Sequence, residues 1–350
     1  MEKYSLIGLI DTLEKQRFLA KEELHYLLEN LDEFSTEYLR KKANKVTQKI
    51  FKNKIFIRGL IEISSYCKND CLYCGIRASN KNAQRYRLKK EDILSCCETG
   101  YNLGFRTFVL QGGEDLYYTD DVLIEIIKSI KKRFDDCAVT LSLGERSKQS
   151  YEVLFNAGAD RYLLRHETAS AKHYSKLHPE NLEHKNRINC LKNLKEIGFQ
   201  TGTGFMVGSP YQTIENIVED LCFIKKFKPH MVGIGPFIPH IDTPFKNENA
   251  GSFELTLNLI SILRLMEPKL LIPATTALGT IKENGREDGI LSGANVVMPN
   301  LSPLDVRKKY LLYDGKIATG QEAAEGKAEL ENRLKKIGYE ITVARGDYEN

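Results

Sequence analysis

The sequence predicts an α/β fold, a (β/α)8 TIM barrel carrying an N-terminal helical extension and a short C-terminal extension. Three observations lead there. From Ile55 onward, short strand-like runs alternate with amphipathic helical stretches, the pattern of repeated βα units around a parallel sheet. The strand-like runs number eight, and a chain of 350 residues accommodates one such barrel of ~200–250 residues plus extensions. The G-x-G-x-x-G turn that an open doubly wound sheet would carry after its first strand is missing, and cysteines stand in its place.

The elements follow in order. Residues 1–54 form a helical preface, because "SLIGLIDTLEKQ", "AKEELHYLLENL" and "STEYLRKKANKVTQKIF" repeat apolar residues at spacings of three and four. The third of these is expected to start at an N-capping Ser35, with Glu37 in its first turn. Residues 55–320 form the barrel. Its strands are "IFIRGLIEISS", "RTFVLQG", "AVTLSLG", "RYLLRHE", "QTGTGFMVG", "HMVGIGPFI", "LLIPATTAL" and "ANVVMPN". Gly104, Gly158 and Gly198 end helices just before the next strand, as left-handed C-caps do. Residues 321–350 are expected to form a helix and a short strand with no recognisable chemistry.

Composition narrows the function classes. Hydrophobic residues at 42% and charged residues at 28% are the mixture of a folded globular chain. The 51 basic and 47 acidic residues leave a net charge of only +4, which does not imply nucleic acid, and "IKKFKPH" and "NRLKKIG" are taken as solvated helix faces. Acidic residues break the apolar pattern at the N-terminus and no apolar run is long enough to span a bilayer, so no membrane association and a cytoplasmic location are expected.

In a reducing compartment the eight cysteines serve packing or ligation rather than disulfides. Cys96, Cys97, Cys190 and Cys222 fall in helical patterns as small hydrophobes, and Cys137 is assigned the same role. Cys67, Cys71 and Cys74 are different. The string "SSYCKNDCLYCGIR" puts them within eight residues, just after the first strand, at the mouth where such barrels carry their sites. Three thiolates hold zinc if a fourth ligand such as His166 joins them, or an iron–sulfur cluster with one iron left open.

Other polar groups converge on the same mouth. "QGGED" ends the second strand with Gly112, Gly113 and Glu114, where adjacent glycines admit a ligand and the carboxylate can accept from an ammonium group. "RYLLRHET" ends the fourth strand, and on an extended segment Arg161, Arg165 and Glu167 share one face directed into the barrel. Burying that set requires an ionic ligand or a structural ion-pair layer, and both readings stand. His166 alternates to the other face as a packed residue. Thr275 and Thr276 either contact a ligand or cap the next turn.

C-x3-C-x2-C after the first strand of a barrel resembles the signature of the radical S-adenosylmethionine (SAM) enzymes. The strings "RGLIEISSYCKNDCLYCGIR", "LSLGE", "AGADRYLLRHET", "MVGIGPFIPHIDTP", "IPATTALGT" and "GANVVMPN" resemble, more narrowly, the radical SAM maturases of [FeFe]-hydrogenase over roughly residues 40–320. The resemblance implies a [4Fe–4S] cluster on Cys67, Cys71 and Cys74, with SAM chelating the open iron and yielding a 5′-deoxyadenosyl radical. It implies Tyr73 near the adenine, unless that ring is simply packed. It implies Gly112, Gly113 and Glu114 at the methionine amino group, Glu167 in contact with SAM, and Arg187 paired with its carboxylate. Arg161 and Arg165 join this cofactor-binding set. The implied substrate is a small organometallic iron species carrying cysteine, CO and cyanide, and the implied partners are other hydrogenase maturation proteins.

The sequence departs from that pattern in two places. No cysteine follows Cys222, which excludes the accessory C-terminal cluster of some relatives, and Gly112 stands where some relatives have serine. A methylornithine synthase-like mutase, a biotin synthase-like sulfur inserter and a non-catalytic iron–sulfur scaffold are the competing functions. Scattered Cys137, Cys190 and Cys222 argue against sulfur insertion, and a scaffold would leave Glu114, Glu167 and Arg187 without work.

Overall fold

A computed structural model describes residues 5–317 and 324–349. Its strands are β1 (Lys54–Ile57), β2 (Gly59–Ser64), β3 (Thr107–Gly112), β4 (Ala138–Ser142), β5 (Arg161–Leu163), β6 (Gln200–Thr203), β7 (Met206–Val207), β8 (Met231–Val232), β9 (Gly235–Pro236), β10 (Val296–Val297) and β11 (Glu340–Thr342). β2, β3, β4, β5, β6 and β8 pair in that order, all parallel. Parallel bridges Met231–Leu271, Pro273–Val296 and Leu60–Asn300, with the β1–β10 pairing, carry the sheet round to its start. The expected eight-stranded closure is present, its seventh strand reduced to single bridges around Leu271 and Pro273.

The strands alternate as a barrel requires. On β3, Phe108 and Leu110 join the main apolar core with Leu123, Ile126, Ile127 and Ile130 of the helix Asp120–Arg133. Thr107 and Gln111 face the other way, into the barrel. That helix has the features its sequence dictates: Thr119 accepts from the Val122 N–H, Asp120 and Asp121 sit in the first turn, and Lys131, Lys132 and Arg133 in the last. Each fully buried isoleucine on it contributes ~1.5–3 kcal/mol. Gly104, Gly158 and Gly198 have φ of 91°, 112° and 110°, the left-handed conformation expected of them.

The preface helices are Leu6–Gln16, Lys21–Asn30 and Glu33–Phe51. The third starts earlier than expected. Asp32, not Ser35, is its cap: the Asp32 carboxylate accepts from the Ser35 N–H at 2.7 Å, and the Ser35 hydroxyl accepts from the Asp32 N–H at 3.0 Å. Ser35 is the reciprocal member of a capping box.

The tail is a helix, Lys327–Lys336, followed by β11, which pairs with β1. It then closes the barrel floor. Arg345 bridges Asp160 at 2.7 Å and Asp347 at 2.8 Å, and Gly346 O accepts from Arg58 at 3.4 Å. The expected boundary at 320/321 lies outside the described residues. Among the described residues no helix is long and apolar enough to cross a membrane.

Candidate active site

The cysteine loop leaves β2 at Ser64 and is tied to three segments around it. Lys68 N donates to Glu114 O at 2.9 Å, Leu72 N to Leu177 O at 3.0 Å, and Gly75 N to Leu312 O at 2.9 Å. Two glycines permit this packing. A Cβ on Gly113 would stand 2.2 Å from Tyr66 O and 2.6 Å from the Cys67 Cβ; one on Gly75 would stand 2.2 Å from Leu311 O. Gly112, in contrast, has room for a methyl group, its nearest neighbours lying at 3.4 Å.

Cys67, Cys71 and Cys74 are all free and half-buried. Burial pushes each thiol up, Cys74 to about 12, and Cys71 is raised further by Cys74 and Cys67 beside it. Three neighbouring thiols of this kind become ligands once metal draws off their protons. Among the described residues, no three His, Cys, Asp or Glu side chains gather as they would around one metal ion. A cluster suits thiols set farther apart, because its own iron and sulfide atoms occupy the space between them.

Carboxylates from three strand ends meet the loop. Glu114 accepts from the Glu145 N–H at 2.9 Å and lies 3.3 Å from Lys68. Glu145 accepts from Arg187 Nε at 2.5 Å, and Arg187 Nη1 donates to Arg165 O at 3.1 Å. Burial works against the Arg187 charge, but Tyr174 and Glu145 beside it hold its pKa well above the ordinary value. Glu167 has a positive φ of 63° and its N–H donates to Gly204 O at 3.0 Å. Its Oε2 stands 3.1 Å from Arg165 Nη2, yet neither atom makes a hydrogen bond, and Arg165 Nε has no partner either.

A buried unpaired donor or acceptor costs ~1–3 kcal/mol. A zwitterion with an ammonium and a carboxylate supplies partners of both signs, so the donor set fits SAM as the thiols fit the cluster.

Tyr73 donates its hydroxyl to His178 at 3.2 Å. The direction is set by His178 itself, whose Nδ1–H donates to Tyr174 O at 3.0 Å and leaves Nε2 as acceptor. Tyr73 thus both packs edge-on to His178 and borders the cysteines.

Arg161 does not join this group. On β5 it does face inward, but Arg165 follows four residues later, ~13 Å along an extended chain. Arg161 lies at the floor, fully buried, donating to Asp347 at 2.5 Å, Arg345 O at 2.8 Å and Thr107 at 3.0 Å. It is the structural ion-pair layer, not a cofactor contact. The expected single group of three fails on depth, because β5 ends at Leu163 with Arg165 beyond it and Glu167 is turned into the left-handed region.

His166 is packed as expected, between Thr203 at 2.8 Å and Asp220 at 3.2 Å. The Asp220 carboxylate also accepts from the Ala169 N–H, so it holds the backbone on both sides of Glu167. Thr275 precedes the helix Thr276–Ile281 without a side-chain capping bond, and its hydroxyl is buried and unpartnered.

Asp220, Glu145 and Arg85 have no role in the sequence reading. Glu145 carries a signal that would have found it: like Glu114 and Glu167, it is an acid just past the end of a strand.

Comparison with known proteins shows the family. Residues 61–224 match the Radical SAM superfamily. The chain is 48% identical to the [FeFe] hydrogenase maturase subunit HydE of Thermotoga maritima over 88% of each chain. It is 32% identical to 3-methylornithine synthase of Methanosarcina acetivorans over 82% of each. Among solved structures, methylornithine synthase superposes with a TM-score of 0.83 at 27% identity, covering 95% of this chain and 97% of that one. The hydrogenase maturase HydG shares the fold, with a TM-score of 0.81 at 21% identity over 98% of this chain and 78% of that one. The chain therefore belongs to the radical SAM superfamily and, within it, to the HydE maturases, enzymes whose cofactors are a [4Fe–4S] cluster and SAM.

Proposed function

We propose that the chain acts in maturation of [FeFe]-hydrogenase, on a small organometallic iron species carrying cysteine, CO and cyanide. Cys67, Cys71 and Cys74 hold the cluster. Glu114, Arg165, Glu167 and Arg187 bind and orient SAM, Gly112 and Gly113 let it approach the backbone, and Tyr73 borders its adenine. With both bound, the reduced cluster and SAM supply a one-electron cleavage that delivers a 5′-deoxyadenosyl radical.

The observation that carries the substrate class is a series of buried polar atoms without hydrogen-bond partners inside the barrel. Arg58 Nε lies at the floor, Thr140 Oγ1 above it and Thr275 Oγ1 nearer the mouth. The two threonine hydroxyls can each donate, so an anion with acceptor atoms gives them partners inside the barrel, apart from the Arg165 atoms that meet SAM. The partners are other hydrogenase maturation proteins, and the site of action is the cytoplasm.

A second reading, an amino-acid mutase, draws on the 32% identity to 3-methylornithine synthase. Activation of apo-hydrogenase separates them. An extract lacking this protein should leave the hydrogenase inactive until the protein is added back; undiminished activation without it refutes the maturase reading.

A further inference from the structure

The loop that carries the cysteines is long, and its return leg comes back beside its start. Tyr86 O accepts from the Ser65 N–H at 3.2 Å, and Leu88 N donates to Ile63 O at 2.8 Å, so the loop is closed at its base. Arg85 stands at that closure and turns its guanidinium inward. Nη1 donates to Ser65 O and to Ile76 O, the latter at 2.8 Å. Nη2 donates to Arg77 O at 2.7 Å and Asn80 O at 3.1 Å. Ser65 lies two residues before Cys67, and Ile76 two residues after Cys74. One side chain therefore ties together the two ends of the cysteine run.

Its charge is also uncompensated. Arg77, close by, is neutralised by Asp70 through paired bonds of 2.7 Å. The Arg85 bonds run only to carbonyls, and among the described residues it has no carboxylate partner. A lysine in its place would offer one nitrogen with three protons, which cannot serve four carbonyls spread over this span.

We propose that Arg85 is a positioning residue for the cluster: its fork fixes the spacing of Cys67, Cys71 and Cys74, and its unpaired charge makes the cluster easier to reduce. Both effects act through the loop and neither requires contact with SAM or substrate. Cluster potentials respond to net charge and to hydrogen bonding around the sulfurs, which gives the charge its route of action. The inference rests on the three-cysteine cluster but not on the hydrogenase role.

The test uses the full chain, anaerobically reconstituted, with wild-type iron binding established first. Two quantities are read without SAM: the rate of iron loss to a chelator and the midpoint potential in a mediated titration. Arg85→Lys keeps the charge and loses the fork, so it should lose iron about tenfold faster at an unchanged midpoint. Arg85→Gln should lose iron faster as well. At a fixed potential its ratio of reduced to oxidised cluster should fall about tenfold, a shift of about 59 mV for one electron. Wild-type iron loss in both variants overturns the positioning role, and a wild-type midpoint in Arg85→Gln overturns the electrostatic one. If Arg85→Gln is recovered unfolded, Arg85→Met takes its place in both measurements.

Discussion

Gly113 and Cys67 are packed so closely that a Cβ on the glycine would stand 2.6 Å from the cysteine's own Cβ. The ligand loop and the end of β3 are thus built against each other, and the obstacle on the loop side is backbone, which cannot swing aside. Overpacking of this kind costs ~1–3 kcal/mol. Gly113→Ala should lower iron retention about tenfold, a difference of ~1.4 kcal/mol. Gly112→Ala, whose new methyl would meet neighbours only at 3.4 Å, should retain iron like the wild type. Iron and sulfide assays on reconstituted protein check both.

The Glu145–Arg187 pair should govern SAM affinity. Both side chains are about nine-tenths buried, and among the described residues Glu145 is the one carboxylate in hydrogen-bond contact with Arg187. Glu145→Gln removes the charge that orients the guanidinium while leaving its volume. SAM binding, measured by calorimetry on the reconstituted protein, should weaken about tenfold to a hundredfold, ~1.4–2.7 kcal/mol. An unchanged affinity would show that Arg187 does not meet the ligand.

At the barrel floor the expectation is the reverse. Asp347→Asn leaves the fully buried Arg161 without its carboxylate. Breaking a buried pair costs ~3–5 kcal/mol, and because Asp347 is about one-third exposed, roughly half of that is expected here. Thermal or urea unfolding should register the loss. SAM affinity should not change, which separates this arginine from Arg165 and Arg187.

His178 makes stability depend on pH. Burial lowers its pKa to about 3 from an ordinary 6.5, so the folded protein excludes a proton that the unfolded chain binds. Its contribution is complete above pH 6.5 and is lost as pH falls toward 3, on the order of 4 kcal/mol over the full range. His178→Gln should flatten the dependence by roughly 1 kcal/mol per pH unit between about pH 4.5 and 6.5. Urea unfolding of both proteins across that interval is the check.

The barrel and the cysteine triad were legible because their signals are local: βα alternation, and three thiols in one short string. Glu114 and Glu167 could be placed at the mouth by position after their strands, whereas Arg187, inside the helix His184–Ile197, was reached only through the family resemblance. What the sequence could not convey is depth. Arg161 and Arg165 lie on the same strand run and the same inward side, and only the three-residue length of β5 and the Asp347 tail separate floor from mouth. Arg85 escaped notice for a related reason, since its four partners are backbone carbonyls that carry no residue signature. The capping box at Asp32 was misplaced by three residues because Ser35 is itself a good cap.

The central claim is that Cys67, Cys71 and Cys74 hold a cluster whose open corner receives SAM. Its most direct test is the yield of 5′-deoxyadenosine from anaerobically reconstituted protein reduced in the presence of SAM. Wild type should form the nucleoside, and Cys71→Ala should form none. Undiminished product from Cys71→Ala would contradict the ligand assignment and the enzyme built on it.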